Sequence, residues 1–150
     1  MNNLDICNAG LDLIKEYEGF RSNVYQDQKG IWTIGWGTTY LSDGSKVTSH
    51  TPSVSEEEAT ELLHYGCRIA VKSINDHVSV ALNQNQFDAL VCFVYNIGIG
   101  GFQSSTLLRL LNDGDYDSVS SQLMRWNKAD GVEARGLTRR RKAEAELFNS

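Results

Sequence analysis

The segment from Phe87 to Ile97 is apolar nearly all the way round a helix. A helix with one apolar stripe lies on a surface, but one without a polar face has to be covered on every side. The rest of the chain must therefore supply several one-sided helices as a cover. Asn83 followed by Gln86 has the spacing of an N-terminal capping box, and Gly98, Gly100 and Gly101 end the segment. Leu4, Cys7, Leu11 and Ile14 form one stripe of a helix that ends near Glu18, with Gly19 as its C′ residue. Ser55 and Glu58 repeat the capping-box spacing, and Ala59, Leu62, Leu63, Gly66, Cys67, Ala70 and Ile74 follow on one helical face. Further helices fit Ser104–Leu111, Asp115–Trp126 and Leu137–Phe148, with Gly131 and Gly136 marking a loop.

Between Val24 and Val47 the period changes. Gly30, Gly35, Gly37 and Gly44 punctuate the β-formers Tyr25, Ile31, Trp32, Thr33 and Ile34, which predicts two or three short antiparallel strands. The fold class that follows is α+β, with a small β lobe at about 20–50 and a larger helical lobe from about 1–19 and 55–150. At 150 residues the chain has the length of a single domain.

Charge narrows the function. The net charge of −5 argues against a general nucleic-acid binder, and no apolar run is long enough to span a bilayer. No basic start is followed by an uninterrupted apolar stretch of a signal peptide, so the expectation is a protein held in the cytoplasm that makes it. Residues 121–150 are nonetheless basic, with seven Lys/Arg against four Asp/Glu. Arg135, Arg139, Arg140, Arg141 and Lys142 read either as a solvated helix face paired with Glu144 and Glu146, or as an anchor for a polyanion. Cys7, Cys67 and Cys92 read as small buried hydrophobes, and His50, His64 and His77 have no metal-ligand spacing, so no cofactor or metal is expected.

The chemistry concentrates in residues 18–33. Glu18 stands at a helix C-terminus, where the dipole disfavours a negative charge, so stability alone would have placed Lys or Arg there. Asp27 opens the next turn, at a place where the two carboxylates could face each other. Paired carboxylates suit glycoside hydrolysis: one protonates the leaving oxygen while the other attacks or activates water. The Thr33 hydroxyl could orient such a water.

The joint pattern is more specific than any of its members. Leu13-Ile14-Lys15-Glu16-Tyr17-Glu18-Gly19-Phe20, Tyr25-Gln26-Asp27 and Gly30-Ile31-Trp32-Thr33-Ile34-Gly35-Trp36-Gly37 resemble the N-terminal signature of phage-type lysozymes, the endolysins of glycoside hydrolase family 24. Gln86 to Leu108 and the run Arg125-Trp126-Asn127 with Gly136–Glu144 resemble that family's central helix and C-terminal signature. The resemblance implies a lysozyme-like fold with a substrate cleft between the lobes. It also implies hydrolysis of the β-1,4 bond between N-acetylmuramic acid and N-acetylglucosamine in peptidoglycan, causing host lysis. It puts the general acid on Glu18, the stabilising carboxylate and base or nucleophile on Asp27, and the water-positioning hydroxyl on Thr33. Tyr95, Ser105 and Ser120 are carried over as glycan contacts.

A monomer without cofactor is implied, binding peptidoglycan glycan strands and neither nucleic acid nor, stably, membrane. It would wait in the host cytoplasm for a holin to open the membrane. Thr38 follows Gly37 where the family pattern often has His, and the acidic balance departs from the common basic endolysin. Two other readings stand beside this one: a lytic transglycosylase on the same bond, and a wall-binding protein without catalysis.

Overall fold

The computed structural model describes residues 2–150, which form two compact units: residues 2–13 with 69–150, and residues 14–68. Helix α1 (Asn8–Glu18) contributes to both, changing unit after Leu13.

In the larger unit the all-apolar segment is helix α4 (Gln84–Ile97), and every residue from Phe87 to Val94 is buried. Its capping box forms as expected: the Asn83 side chain accepts from Gln86 N–H at 2.8 Å, and Gln86 Oε1 accepts from Asn83 N–H at 2.9 Å. Asp88 is buried inside this apolar run because it serves another helix. Its carboxylate accepts from the N–H groups of Cys7 and Gly10, both at 3.1 Å, at the start of α1. These are orphan donors of the first helical turn. Gly10 permits the approach, since a Cβ there would stand 2.9 Å from Asp88 Cβ. This long-range cap starts α1 at Asn8 rather than at Leu4, and it leaves Cys7 exposed, against the expectation of a buried cysteine. Cys67 and Cys92 are buried as expected.

The face predicted from Ala59 to Ile74 is split into α2 (Glu56–Gly66) and α3 (Arg68–His77), which break at the buried Cys67. Helices α5 (Ile99–Gln103) and α6 (Thr106–Asn112) follow α4. The single helix expected over Asp115–Trp126 is instead a 3-10 turn, the short helix α7 (Val119–Leu123) and a second 3-10 turn. The expected loop near Gly131 is a hairpin of β3 (Lys128–Ala129) and β4 (Val132–Glu133), numbered after two earlier strands. Asp130 and Gly131 turn it with φ of 52° and 79°.

Helix α8 (Arg135–Phe148) closes the chain and packs along α4. Arg140, Arg141 and Glu144 are buried there, which corrects the solvated-face reading for these three, while Arg135, Arg139, Lys142 and Glu146 are exposed. Arg141 lies on the Phe93 ring, 5.0 Å from its centroid, and bonds Asn96. Its Nε is 3.1 Å from Glu144 Oε1, while Arg140 donates to the Cys92 carbonyl at 3.1 Å.

The smaller unit holds the β structure. Strands β1 (Arg21–Gln26) and β2 (Trp32–Gly35) are antiparallel, pairing Tyr25 with Thr33 and Gln26 with Trp32. Isolated bridges Ile34–Thr38 and Tyr40–Lys46 extend the pattern without making a third strand in this sheet. Helix α2, capped by the Ser55–Glu58 box, packs on β2 through Gly35, where an added Cβ would fall 2.9 Å from Ala59 Cβ.

Candidate active site

Glu18 is the last residue of α1, and Gly19 ends the helix in the left-handed region, with φ 73° and its N–H donating to Lys15 O at 3.0 Å. That is the C′ role expected for it. The Glu18 carboxyl then lies over a turn that follows β2. A Cβ built on Gly37 would come 2.5 Å from Glu18 Oε1 and 3.2 Å from Glu18 Cδ. Gly37 also has φ 82°, so it supplies both the turn and the space for the carboxylate. In the sequence Gly37 is punctuation and the end of the N-terminal signature, and nothing local says which side chain will occupy the missing methyl's place. Beside it, Trp36 packs on Phe20 with ring centroids 5.0 Å apart, and Lys15 Nζ lies 5.4 Å from the Trp36 ring.

Asp27 follows β1 and ties the hairpin turn. Its Oδ1 accepts from Lys29 N–H at 2.8 Å and from Ile31 N–H at 2.9 Å. Its Oδ2 has no hydrogen bond among the described residues. Strand parity sets the rest, since residues two apart share a face and cross-strand partners share one too. Asp27 therefore lies on the face of Tyr25 and of Thr33, the partner of Tyr25. Thr33 is buried, and its hydroxyl donates to Ile31 O at 2.9 Å, which leaves the oxygen's lone pairs as acceptors. The smaller unit thus contains all three sequence candidates, two on one hairpin face and one on the helix end over Gly37.

Tyr25 joins them, a residue that the sequence marks as a β-former and a member of the signature Tyr25-Gln26-Asp27 but not as a site residue. The Arg21 guanidinium lies 4.3 Å from the centroid of its ring. Burial raises the Tyr25 phenol above its ordinary pKa; Arg21 opposes this, and Glu18 and Asp27 reinforce it. The alternating pattern of β1 was the available signal, since Tyr25 is two residues from Asp27.

The three carried-over glycan contacts belong to the larger unit. The Ser105 hydroxyl caps α6, donating to Phe102 O at 2.7 Å and accepting from Leu108 N–H at 3.1 Å. Ser105 also lines a cavity of about 320 Å³ with Ser104, Thr106, Gln122, Arg125 and Trp126. The Trp126 ring in its wall is fixed edge-on against Phe93, at 5.9 Å between centroids. Ser120 accepts from Asn149 Nδ2 at 2.8 Å, and Tyr95 is half-buried near the end of α4; neither lines this cavity. Among the described residues no three His, Cys, Asp or Glu side chains are grouped to hold a metal ion, and no helix is long and apolar enough to cross a membrane.

The phage lysozyme profile matches residues 15–144, a span that contains Glu18, the hairpin and the α8 signature. The chain belongs to the phage lysozyme family. It is 40% identical over 152 residues to the endolysin of Acyrthosiphon pisum secondary endosymbiont phage 1, covering 98% of this chain and 99% of that one. The solved endolysin from Escherichia coli O157:H7 phage FAHEc1 is 34% identical and superposes with a TM-score of 0.90 over 98% of this chain and 94% of that one. A solved variant of phage P22 lysozyme is 37% identical, with a TM-score of 0.88 over 99% of this chain and all of that one. The lysozyme-like α+β fold expected from the sequence is the one found.

Proposed function

We propose that this phage lysozyme is an endolysin of glycoside hydrolase family 24 that hydrolyses the β-1,4 bond between N-acetylmuramic acid and N-acetylglucosamine, with Glu18 as acid, Asp27 as the second carboxylate and Thr33 as the guide for water. The observation that carries the reading is the division of hydrogen-bonding capacity on the hairpin face. Asp27 spends Oδ1 on its own turn and keeps Oδ2 uncommitted, while Thr33 spends its proton on Ile31 O and keeps acceptor lone pairs. Two acceptors on one face suit a water, which donates both its protons while its oxygen attacks C1 of the sugar. Glu18 delivers its proton to the glycosidic oxygen as that bond breaks, and Asp27 receives the proton released by the attacking water. The carboxylate also stabilises the oxocarbenium-like charge in between.

The family resemblance leans towards inversion, which proton NMR of the first product anomer checks. Tyr95, Ser105 and Ser120 remain proposed glycan contacts; Ser105 has only acceptor capacity to offer, since its proton is spent on Phe102. The wider reading is a monomer that waits in the host cytoplasm until a holin opens the membrane, then acts on the wall.

Mass spectrometry of digested peptidoglycan separates the chemistries: reducing ends are expected, and 1,6-anhydro ends would establish a lytic transglycosylase instead. Glu18→Gln should fold and lose activity by roughly 10²–10⁴-fold, the range for removing a general acid. Clearing of cell walls at the parent rate by the folded variant would show that the acid lies elsewhere.

A further inference from the structure

The hairpin face has an imbalance of donors and acceptors. The Asp27 carboxylate only accepts hydrogen bonds, the proton of Glu18 is committed to the glycosidic oxygen in the proposed reaction, and the Thr33 proton is already given to Ile31 O at 2.9 Å. The Tyr25 hydroxyl makes no hydrogen bond among the described residues, although it stands opposite Thr33 and two residues from Asp27. It is therefore the uncommitted side-chain donor among these four groups. Its ring is held on one side by Arg21, 4.3 Å from the centroid. A tyrosine phenol holds its proton at neutral pH, and burial, opposed by Arg21 and reinforced by Glu18 and Asp27, raises its pKa further, so the donor is present whenever the enzyme works.

N-acetylated sugars have two kinds of group to satisfy. Their hydroxyls donate readily to carboxylates. Their acetamido carbonyl needs a donor, which the Asp27 carboxylate cannot supply and which the Glu18 proton, committed to the glycosidic oxygen, does not supply either. We infer that Tyr25 is a specificity-determining residue of this site, whose hydroxyl donates a hydrogen bond to the acetamido carbonyl of an N-acetylated sugar beside the scissile bond. This rests on the proposed assignment of Glu18, Asp27 and Thr33, and it adds a reason for the site to prefer acetylated glycan over de-acetylated glycan.

The test is binding on a chain that cannot turn over, so that it stands apart from the catalytic assignment. In the Glu18→Gln background, titration with an N-acetylglucosamine tetramer and with its de-acetylated counterpart should show a preference for the acetylated sugar. Adding Tyr25→Phe keeps the ring and its stacking on Arg21 and removes only the oxygen. Affinity for the acetylated tetramer should fall about five- to ten-fold, the size of one hydrogen bond to a neutral partner. Affinity for the de-acetylated tetramer should change less than twofold, and thermal unfolding should stay put. With Glu18 restored, Tyr25→Phe should raise KM more than it lowers kcat.

Equal loss for both tetramers, or no loss for either, overturns the inference. Should Tyr25→Phe fail to fold, protein labelled with ¹³C at the tyrosine Cζ gives the same answer. The Tyr25 resonance, assigned by its shift in Arg21→Gln, should move on adding the acetylated tetramer and stay still with the de-acetylated one. A resonance that ignores the acetylated sugar overturns the inference as well. Failure of the Glu18 assignment would show instead in the hydrolysis assay, with this binding preference intact.

Discussion

Gly37 and Gly44 make a controlled pair at the residue scale. Both have left-handed backbone, with φ of 82° and 86°. A Cβ at Gly44 meets nothing within 4 Å, whereas one at Gly37 meets the Glu18 carboxyl at 2.5 Å. Alanine at either site should cost about 1–2 kcal/mol for the forced left-handed conformation, measured by urea unfolding. Only Gly37→Ala should also cut lysis of cell walls, by roughly tenfold or more, because it displaces Glu18, the proposed acid, from its place over the turn. Equal activities in the two variants would show that the position of Glu18 tolerates the shift. The comparison also shows what the sequence could not convey. Glu18, Asp27 and Thr33 are singled out by residue type and by the family resemblance, but the slot that receives Glu18 depends on a missing atom nineteen residues away in a turn.

Among elements, those with local signals were legible and those with distant partners were not. The boxes at Ser55 and Asn83 announce α2 and α4 because donor and acceptor are three residues apart. The start of α1 depends on Asp88, separated from Cys7 by 81 positions, so a stripe of apolar residues overextended the helix. The β3–β4 hairpin has little periodicity to read because its strands are two residues long, although Asp130-Gly131 is a strong hairpin dipeptide. Asp88→Ala should therefore destabilise the chain by about 1–3 kcal/mol in urea, since it removes the side-chain acceptor shared by Cys7 N–H, the buried Gly10 N–H and Gln84 Nε2.

Helices α4 and α8 share a second buried polar contact, with a pH signature. Burial raises the Glu144 carboxyl above its ordinary value, against the opposing pull of Arg141, a hydrogen bond from Cys92, and Arg140. A carboxyl raised in the folded state binds more protons folded than unfolded. Its contribution to stability thus falls as pH climbs from about 4.5, the unfolded value, through the folded one. Glu144→Gln should flatten that slope in urea unfolding followed from pH 4 upward. It should also lower stability at pH 7 by about 3–5 kcal/mol, because Arg140 and Arg141 stay buried without their counter-charge.

Approach to the wall is a property of the whole molecule. The chain is acidic overall, at −5, yet its last thirty residues hold seven Lys/Arg. Two of these, Arg140 and Arg141, are buried with Glu144 and present no charge to a partner. Five cations remain against Asp130, Glu133 and Glu146, so the attraction this segment exerts is weaker than its sequence suggests. Arg135 lines a second cavity, of about 420 Å³, with Glu133, Thr138 and Arg139. Peptide stems of peptidoglycan bring carboxylates, and attraction between exposed charges fades beyond a Debye length of about 8–10 Å in physiological salt. Raising ionic strength from about 20 to about 200 mM should therefore slow lysis of purified walls by roughly two- to five-fold, a local effect acting against the net charge. Lys128→Gln with Arg135→Gln should lower the low-salt rate by a similar factor and leave the high-salt rate unchanged. A parent rate that rises with salt would mean that repulsion by the acidic remainder governs the encounter, and that the basic segment serves the packing of α8 rather than capture of the wall.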